Sequence, residues 1–161
     1  MAKQSSGGTP ATVILTQADV PFTQHVFDHD RSAGSYGLAA ADALGLDPKQ
    51  VFKTLLVSVD GATVVAIVPV AGRLDLKAVA AAVGGKRATL ADPADAERAT
   101  GYVVGGISPL GQKRLHPTVL DDSALGFDVV YVSGGRRGLD VGLSPHDLVQ
   151  LTGALTAPLG R

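Results

Sequence analysis

Val51-Phe52-Lys53-Thr54-Leu55-Leu56-Val57-Ser58-Val59-Asp60-Gly61-Ala62-Thr63-Val64-Val65-Ala66-Ile67-Val68-Pro69-Val70 is the stretch on which the fold turns. Two runs rich in β-branched residues, Val51 to Val59 and Thr63 to Val70, flank Asp60-Gly61, a dipeptide suited to a tight hairpin turn. Both runs are apolar on consecutive residues instead of alternate ones, so the sheet they form is expected to be covered on both faces. Lys53 interrupts the first run. Its ammonium either snorkels to a sheet edge or points into a cleft and meets an anion.

Outward from the hairpin, helices and short strands follow each other irregularly. On the N-terminal side, Thr9-Pro10 reads as a helix start with a hydroxyl cap, and Asp19-Val20-Pro21 ends that helix. Phe22 to Phe27 alternates as a strand does, residues 28–35 form a polar loop, and Tyr36 to Leu44 is a helix closed by Gly45. On the C-terminal side come a helix over 75–83, a strand over 86–90 and a helix from Asp92-Pro93 to Thr100. Tyr102 to Val104 is then expected as a short strand running into a glycine-rich loop. Thr118 to Leu120 and Val129 to Ser133 are expected strands, Leu139 to Leu143 a hairpin arm, and Ser144-Pro145 the start of a last helix through Leu151. The pattern predicts one α+β (mixed α/β) domain, with a mixed, mostly antiparallel curved sheet flanked by helices, over residues 9–161. Residues 1–8 read as a disordered lead.

Composition narrows the chemistry. The chain has 161 residues, no cysteine and a formal net charge of −1. Disulfide frameworks, Cys-ligated zinc and a protein thiol nucleophile are excluded. A broad electrostatic grip on duplex nucleic acid is not advertised. The start of the chain lacks a signal-peptide core and no apolar run is long enough to span a bilayer, so a soluble, cytoplasmic protein without membrane contact is expected.

Gly105-Gly106-Ile107-Ser108-Pro109-Leu110-Gly111 is the strongest candidate site. Paired glycines let a ligand approach bare amide N–H groups, which can hold an anion or a developing oxyanion. Other constellations are weaker. His25 and His29 stand four apart but straddle a strand end, without the helical face that would make zinc ligands of them, so no metal is expected. A triad drawn from Ser108 or Ser133, His116 and Asp140 lacks a nucleophile elbow. The glycine spacing does not match a dinucleotide fingerprint. What remains is two glycine-rich turns, an in-strand lysine and Asp140 between glycines: a pocket for an anionic or ester ligand without an obvious nucleophile.

Residues 101–111, Val51-Phe52-Lys53-Thr54-Leu55, Pro69-Val70-Ala71-Gly72, Ala91-Asp92-Pro93 and Val132-Ser133-Gly134-Gly135-Arg136-Arg137-Gly138-Leu139-Asp140 together resemble the YbaK family of Cys-tRNA(Pro) deacylases, within the editing-domain superfamily associated with prolyl-tRNA synthetase. The resemblance runs from about Thr9 to Leu151. It implies trans-editing of mischarged tRNA(Pro), with no cofactor, with the acceptor end as ligand and with prolyl-tRNA synthetase as partner. In family members the substrate's own cysteine thiol is the attacking group. Carried over by position, Lys53 would bind the terminal phosphate or ribose region, and Gly105 and Gly106 would line the aminoacyl pocket, with Ser108 and Pro109 shaping its wall. Ser133, Gly134 and Asp140 would hold amino or ribose groups. Lys113, Arg114, Arg136 and Arg137 would meet the acceptor stem, unless they are solvated surface charge. Phe27 stands where the family commonly has tyrosine, and Tyr36 is the candidate to supply the missing hydroxyl. Two further readings stay open: a deacylase for another small residue such as alanine, using water, and an inactive tRNA- or synthetase-binding module.

Overall fold

A computed structural model describes residues 8–28 and 36–160 of the chain. The expected lead, apart from exposed Gly8, and residues 29–35, which include His29, lie outside the described residues.

The central hairpin forms as its sequence dictates. Strand β2 (Phe52–Val59) pairs antiparallel with β3 (Ala62–Pro69), in register from Phe52 opposite Pro69 to Val59 opposite Ala62. Asp60 and Gly61 both take positive φ, 51° and 88°, as a two-residue turn matched to strand twist requires. One face of the hairpin, carrying Phe52, Leu56, Val65 and Ile67, enters the larger core with Leu15, Val132, Val141 and Leu148. The other face, carrying Val57, Val64, Ala66 and Val68, packs on Val79 and Leu159. The hairpin is thus covered on both sides, which accounts for its unbroken apolar pattern.

Around it the elements run α1 (Pro10–Gln17), β1 (Thr23–Val26), α2 (Tyr36–Leu44), β2, β3, α3 (Leu76–Ala82), β4 (Ala88–Leu90), α4 (Pro93–Thr100), β5 (Thr118–Asp121), a 3-10 turn (Asp122–Gly126), β6 (Val130–Arg136), β7 (Leu139–Leu143), α5 (Pro145–Thr152) and β8 (Leu155–Ala157). The helix starts follow their capping residues. The Thr9, Asp75 and Ser144 side chains accept backbone N–H groups of α1, α3 and α5, and Gly101 and Gly153 close α4 and α5 in the left-handed conformation.

The domain is α+β, but its strands form two sheets in place of the one expected. A five-stranded sheet has the order β4-β2-β3-β5-β8, and a three-stranded antiparallel sheet has the order β1-β7-β6. A parallel bridge between Val51 and Tyr131 joins them. In the larger sheet β5 is parallel to β3 and β8 is parallel to β5. β8 and the 3-10 turn were not anticipated. The strand expected over Tyr102–Val104 is a turn: Tyr102 buries its ring and donates its hydroxyl to the Leu110 carbonyl at 2.6 Å, closing the loop on itself instead of joining a sheet.

Candidate functional site

A cavity of about 310 Å³ lies along the edge of β2. Its position follows from strand periodicity. The Val65 N–H is donated to Pro117, on the side of β3 away from β2. By antiparallel alternation, Leu56 opposite Val65 turns its N–H and C=O away from β3, and its carbonyl accepts from Ala91 N–H at 2.9 Å. Thr54, two residues back, has the same orientation. The Val51–Tyr131 bridge closes one end of this edge and the Leu56–Ala91 bond the other. Between them, among the described residues, no strand pairs with β2, and the Thr54 N–H and C=O face the gap.

Five groups of residues enclose the gap. β2 supplies Phe52, Lys53 and Thr54, and the start of α4 supplies Pro93 and Ala96. The glycine loop brings Val104, Gly105 and Ile107, while β6 and β7 bring Ser133 and Asp140. Phe27 and Ala40 close the remaining side. Sequence-expected Phe27, Lys53, Gly105, Ser133 and Asp140 therefore meet in one place.

Lys53 donates from Nζ to the Gly72 carbonyl at 3.3 Å. Burial, and secondarily the Arg73 guanidinium, hold its pKa below the ordinary lysine value. Asp140 is 6% exposed, and desolvation raises its pKa from 3.8 to about 7. It stands directly across β7 from Ser133 on β6 and His25 on β1, so the three side chains share one sheet face. Ser133 Oγ accepts from Gly135 N–H at 3.2 Å, inside the bulge that ends the β6–β7 pairing. His25 is fixed by Thr23 Oγ1 at 2.8 Å and by an edge-on contact with the Tyr131 ring, 5.3 Å between centroids. His25 as a neighbour of Asp140 was missed in the sequence, because only the register reveals it.

A carboxyl with a raised folded pKa binds protons that the unfolded chain has released. Its stabilising contribution is complete below about pH 4 and is lost as the pH rises through about 7, a fall of up to about 4 kcal/mol. Asp140→Asn should remove that slope, so the stability gap between variant and wild type will change between pH 4 and 7 in chemical-denaturation curves. A gap independent of pH would show that the carboxyl titrates normally.

Thr54 Oγ1 is buried and has no hydrogen-bond partner among the described residues. Leaving such a hydroxyl unsatisfied costs about 1–3 kcal/mol. Thr54→Val, which replaces it with a methyl of similar shape, is expected to raise unfolding stability by about 1 kcal/mol. A valine variant of lower stability would mean that the hydroxyl is satisfied in solution.

The other expected residues brace the site or lie outside it. The Gly106 N–H is donated to the Val103 carbonyl at 2.8 Å, so it is not a bare donor, and Gly105, with φ 89°, is the loop glycine at the cavity. A Cβ on Gly106 would sit 2.7 Å from the Arg136 backbone, so this glycine permits the loop to meet the β6–β7 turn. Arg137 Nε locks that contact by donating to the Val104 carbonyl at 2.8 Å. Ser108 and Pro109 are buried and do not line the cavity; Ser108 Oγ accepts from Leu110 N–H at 3.2 Å. Gly134 is buried against Leu139, and its carbonyl accepts from the Thr9 hydroxyl. Arg136 is exposed at the bulge. Lys113 and Arg114 line a separate polar groove with Arg98 and His116. Tyr36 opens α2, and its side chain lies outside the described residues. No group of three or more metal-ligating side chains occurs among the described residues, and no helix among them is long and apolar enough to cross a membrane.

The two-sheet α+β domain thus sets a cation, a protonatable carboxyl and strand-edge amides around one cavity, groups able to hold an ester or an anion. Comparison with known proteins gives the family. Residues 35–151 match the aminoacyl-tRNA editing domain, and the chain belongs to that family. It is 37% identical over 156 residues, covering 93% of this chain and 92% of the relative, to the Enterococcus faecalis (strain ATCC 700802 / V583) protein described as "Putative Cys-tRNA(Pro)/Cys-tRNA(Cys) deacylase EbsC". Among solved structures it superposes with TM-score 0.80 and 26% identity on a "putative trans-editing enzyme for prolyl tRNA synthetase", covering 100% of this chain and 99% of that one. It matches the hypothetical protein APE2540 with TM-score 0.83 and 26% identity, covering 95% of this chain and all of the other.

Proposed function

We propose that this protein is a trans-editing deacylase that cleaves the ester of mischarged Cys-tRNA(Pro), a product of prolyl-tRNA synthetase. A synthetase pocket cannot exclude cysteine from proline's site by shape alone, since a difference of about one methylene is worth only about 1–3 kcal/mol. The observation that carries the reading is the cavity itself: a cation, a carboxyl of raised pKa and backbone donors line it, and among the described residues no hydrogen bond joins the Ser133 hydroxyl there to a base.

The residues support a reaction in which the substrate supplies the nucleophile. Lys53 holds the phosphate or ribose side of the terminal adenosine. The N–H groups of Thr54 and Gly105 orient the ester carbonyl and stabilise charge on its oxygen. The substrate thiol attacks that carbonyl carbon; a C–S bond forms, the ester C–O bond breaks and a cyclic thiolactone leaves. Asp140, poised near neutrality, takes the thiol proton and returns it to the departing ribose oxygen. Fixing thiol and ester together supplies much of the rate, as intramolecular attack allows.

Deacylation of Cys-tRNA(Pro), Ala-tRNA(Pro) and Pro-tRNA(Pro) side by side tests this. Rapid loss of cysteine alone is expected. Loss of alanine would require water as nucleophile, and loss of none would leave a binding module.

A further inference from the structure

A second groove, of about 390 Å³, lies next to the cavity, and nothing in the reading above employs it. Lys49 and the segment from Pro69 to Arg73 form one bank, and Ser123, Gly126 and Phe127 form the other. It is largely apolar at the centre and cationic at the rim. Lys53 joins the two hollows: it lines the cavity, while its Nζ lies 3.3 Å from the carbonyl of Gly72, a residue of the groove.

The cations there make no ion pair among the described residues. Lys49 and Arg73 are exposed, and Arg73 is close enough to Lys53 to oppose its protonation. The acid in the groove wall, Asp121, is buried, and its carboxylate is committed to the N–H groups of Leu159 and Gly160 at 2.7 and 3.2 Å and to Ser123. Among the described residues, no ion pair joins Lys49, Lys53 or Arg73 to an acid. Like charges gathered without an ion pair favour an anionic ligand. The half-buried Phe127 ring beside them offers a face on which a base can stack.

We propose that this groove holds the single-stranded nucleotides that precede the aminoacylated adenosine at the tRNA 3′ end, with their phosphodiesters on Arg73 and Lys49 and a base on Phe127. The proposal rests on the editing reading in placing the ester in the cavity. Lys53 then marks where the chain of nucleotides passes from one hollow to the other. Such a track needs few phosphate contacts, which suits a chain of net charge −1.

Two substrates and one binding probe test it in the full-length protein. With Cys-tRNA(Pro), Arg73→Gln and Phe127→Leu should each raise KM about tenfold with kcat kept. With cysteinyl adenosine, which lacks the preceding nucleotides, both variants should match wild type, since glutamine places no carboxylate beside Lys53. A fluorescent RNA oligonucleotide ending in CCA should bind wild type in a salt-dependent way and lose about tenfold in affinity with Arg73→Gln. Arg73 is exposed, so its substitution should leave the melting temperature unchanged and keep the test valid if Phe127→Leu unfolds. Equal KM for Arg73→Gln and wild type on the whole tRNA, or no oligonucleotide binding by wild type, overturns the groove. Oligonucleotide binding that depends on Arg73, in a protein that deacylates nothing, would sink the enzyme reading and keep the groove.

Discussion

Lys53→Ala should lower kcat/KM for Cys-tRNA(Pro) by about a hundredfold or more, the scale on which one electrostatic contact in an enclosed site acts. The lysine is half-buried as the one charged residue of β2, with its ammonium anchored on the Gly72 carbonyl. Burial makes its charge costly there, and the anion expected beside it would offset that cost. Removal of the ammonium should therefore harm function more than folding. The alanine variant is expected to unfold at a denaturant midpoint close to that of wild type. Deacylation within a few-fold of wild type by a folded Lys53→Ala protein would remove this lysine from the mechanism.

Gly106→Ala should destabilise the fold by about 3 kcal/mol, at the upper end of the usual cost of overpacking. Its added methyl would lie 2.7 Å from the Cα and carbonyl carbon of Arg136, and backbone cannot step aside as a flexible side chain can. The glycine loop and the β6–β7 turn would have to part, breaking the Arg137–Val104 hydrogen bond and moving Gly105, Ser133 and Asp140 relative to one another. Stability and activity should fall together. Gly126→Ala is the contrasting substitution, since no atom lies within 4 Å of its added Cβ, and its unfolding midpoint should match wild type. An unchanged midpoint for Gly106→Ala would mean that the two turns are not packed as described.

The parts of this site that could be read in the sequence are those set by local chemistry. The Asp60-Gly61 turn, the two-sided apolar hairpin and the lysine within it all follow from residue types and spacing. So does the glycine loop as a place where backbone meets something else. What could not be read depends on tertiary contacts. Gly105 and Gly106 are equivalent in sequence, yet one lines the cavity while the amide of the other closes a turn on Val103. Arg136 and Arg137 are adjacent and alike, but Arg137 pins the loop while Arg136 is exposed at the bulge. Tyr102 to Val104 has the composition of a strand; the reach of the Tyr102 hydroxyl to Leu110 makes it a turn instead. Leu155 to Ala157 is too short and too exposed to announce itself, and becomes a strand through pairing with β5. The environment of Asp140 exists only once three strands are in register.

The one-sided pairing of β2 sets two populations of amide in a single strand. Lys53, Leu55 and Val57 give their N–H groups to β3, whereas Thr54 and Leu56 turn theirs to the cavity. In deuterium-exchange measurements resolved by residue, protection should therefore alternate along the strand, slow at 53, 55 and 57 and fast at 54. A ligand seated against that edge would slow exchange at Thr54 and erase the alternation. Occupancy of the site would then be legible from one amide, without any turnover.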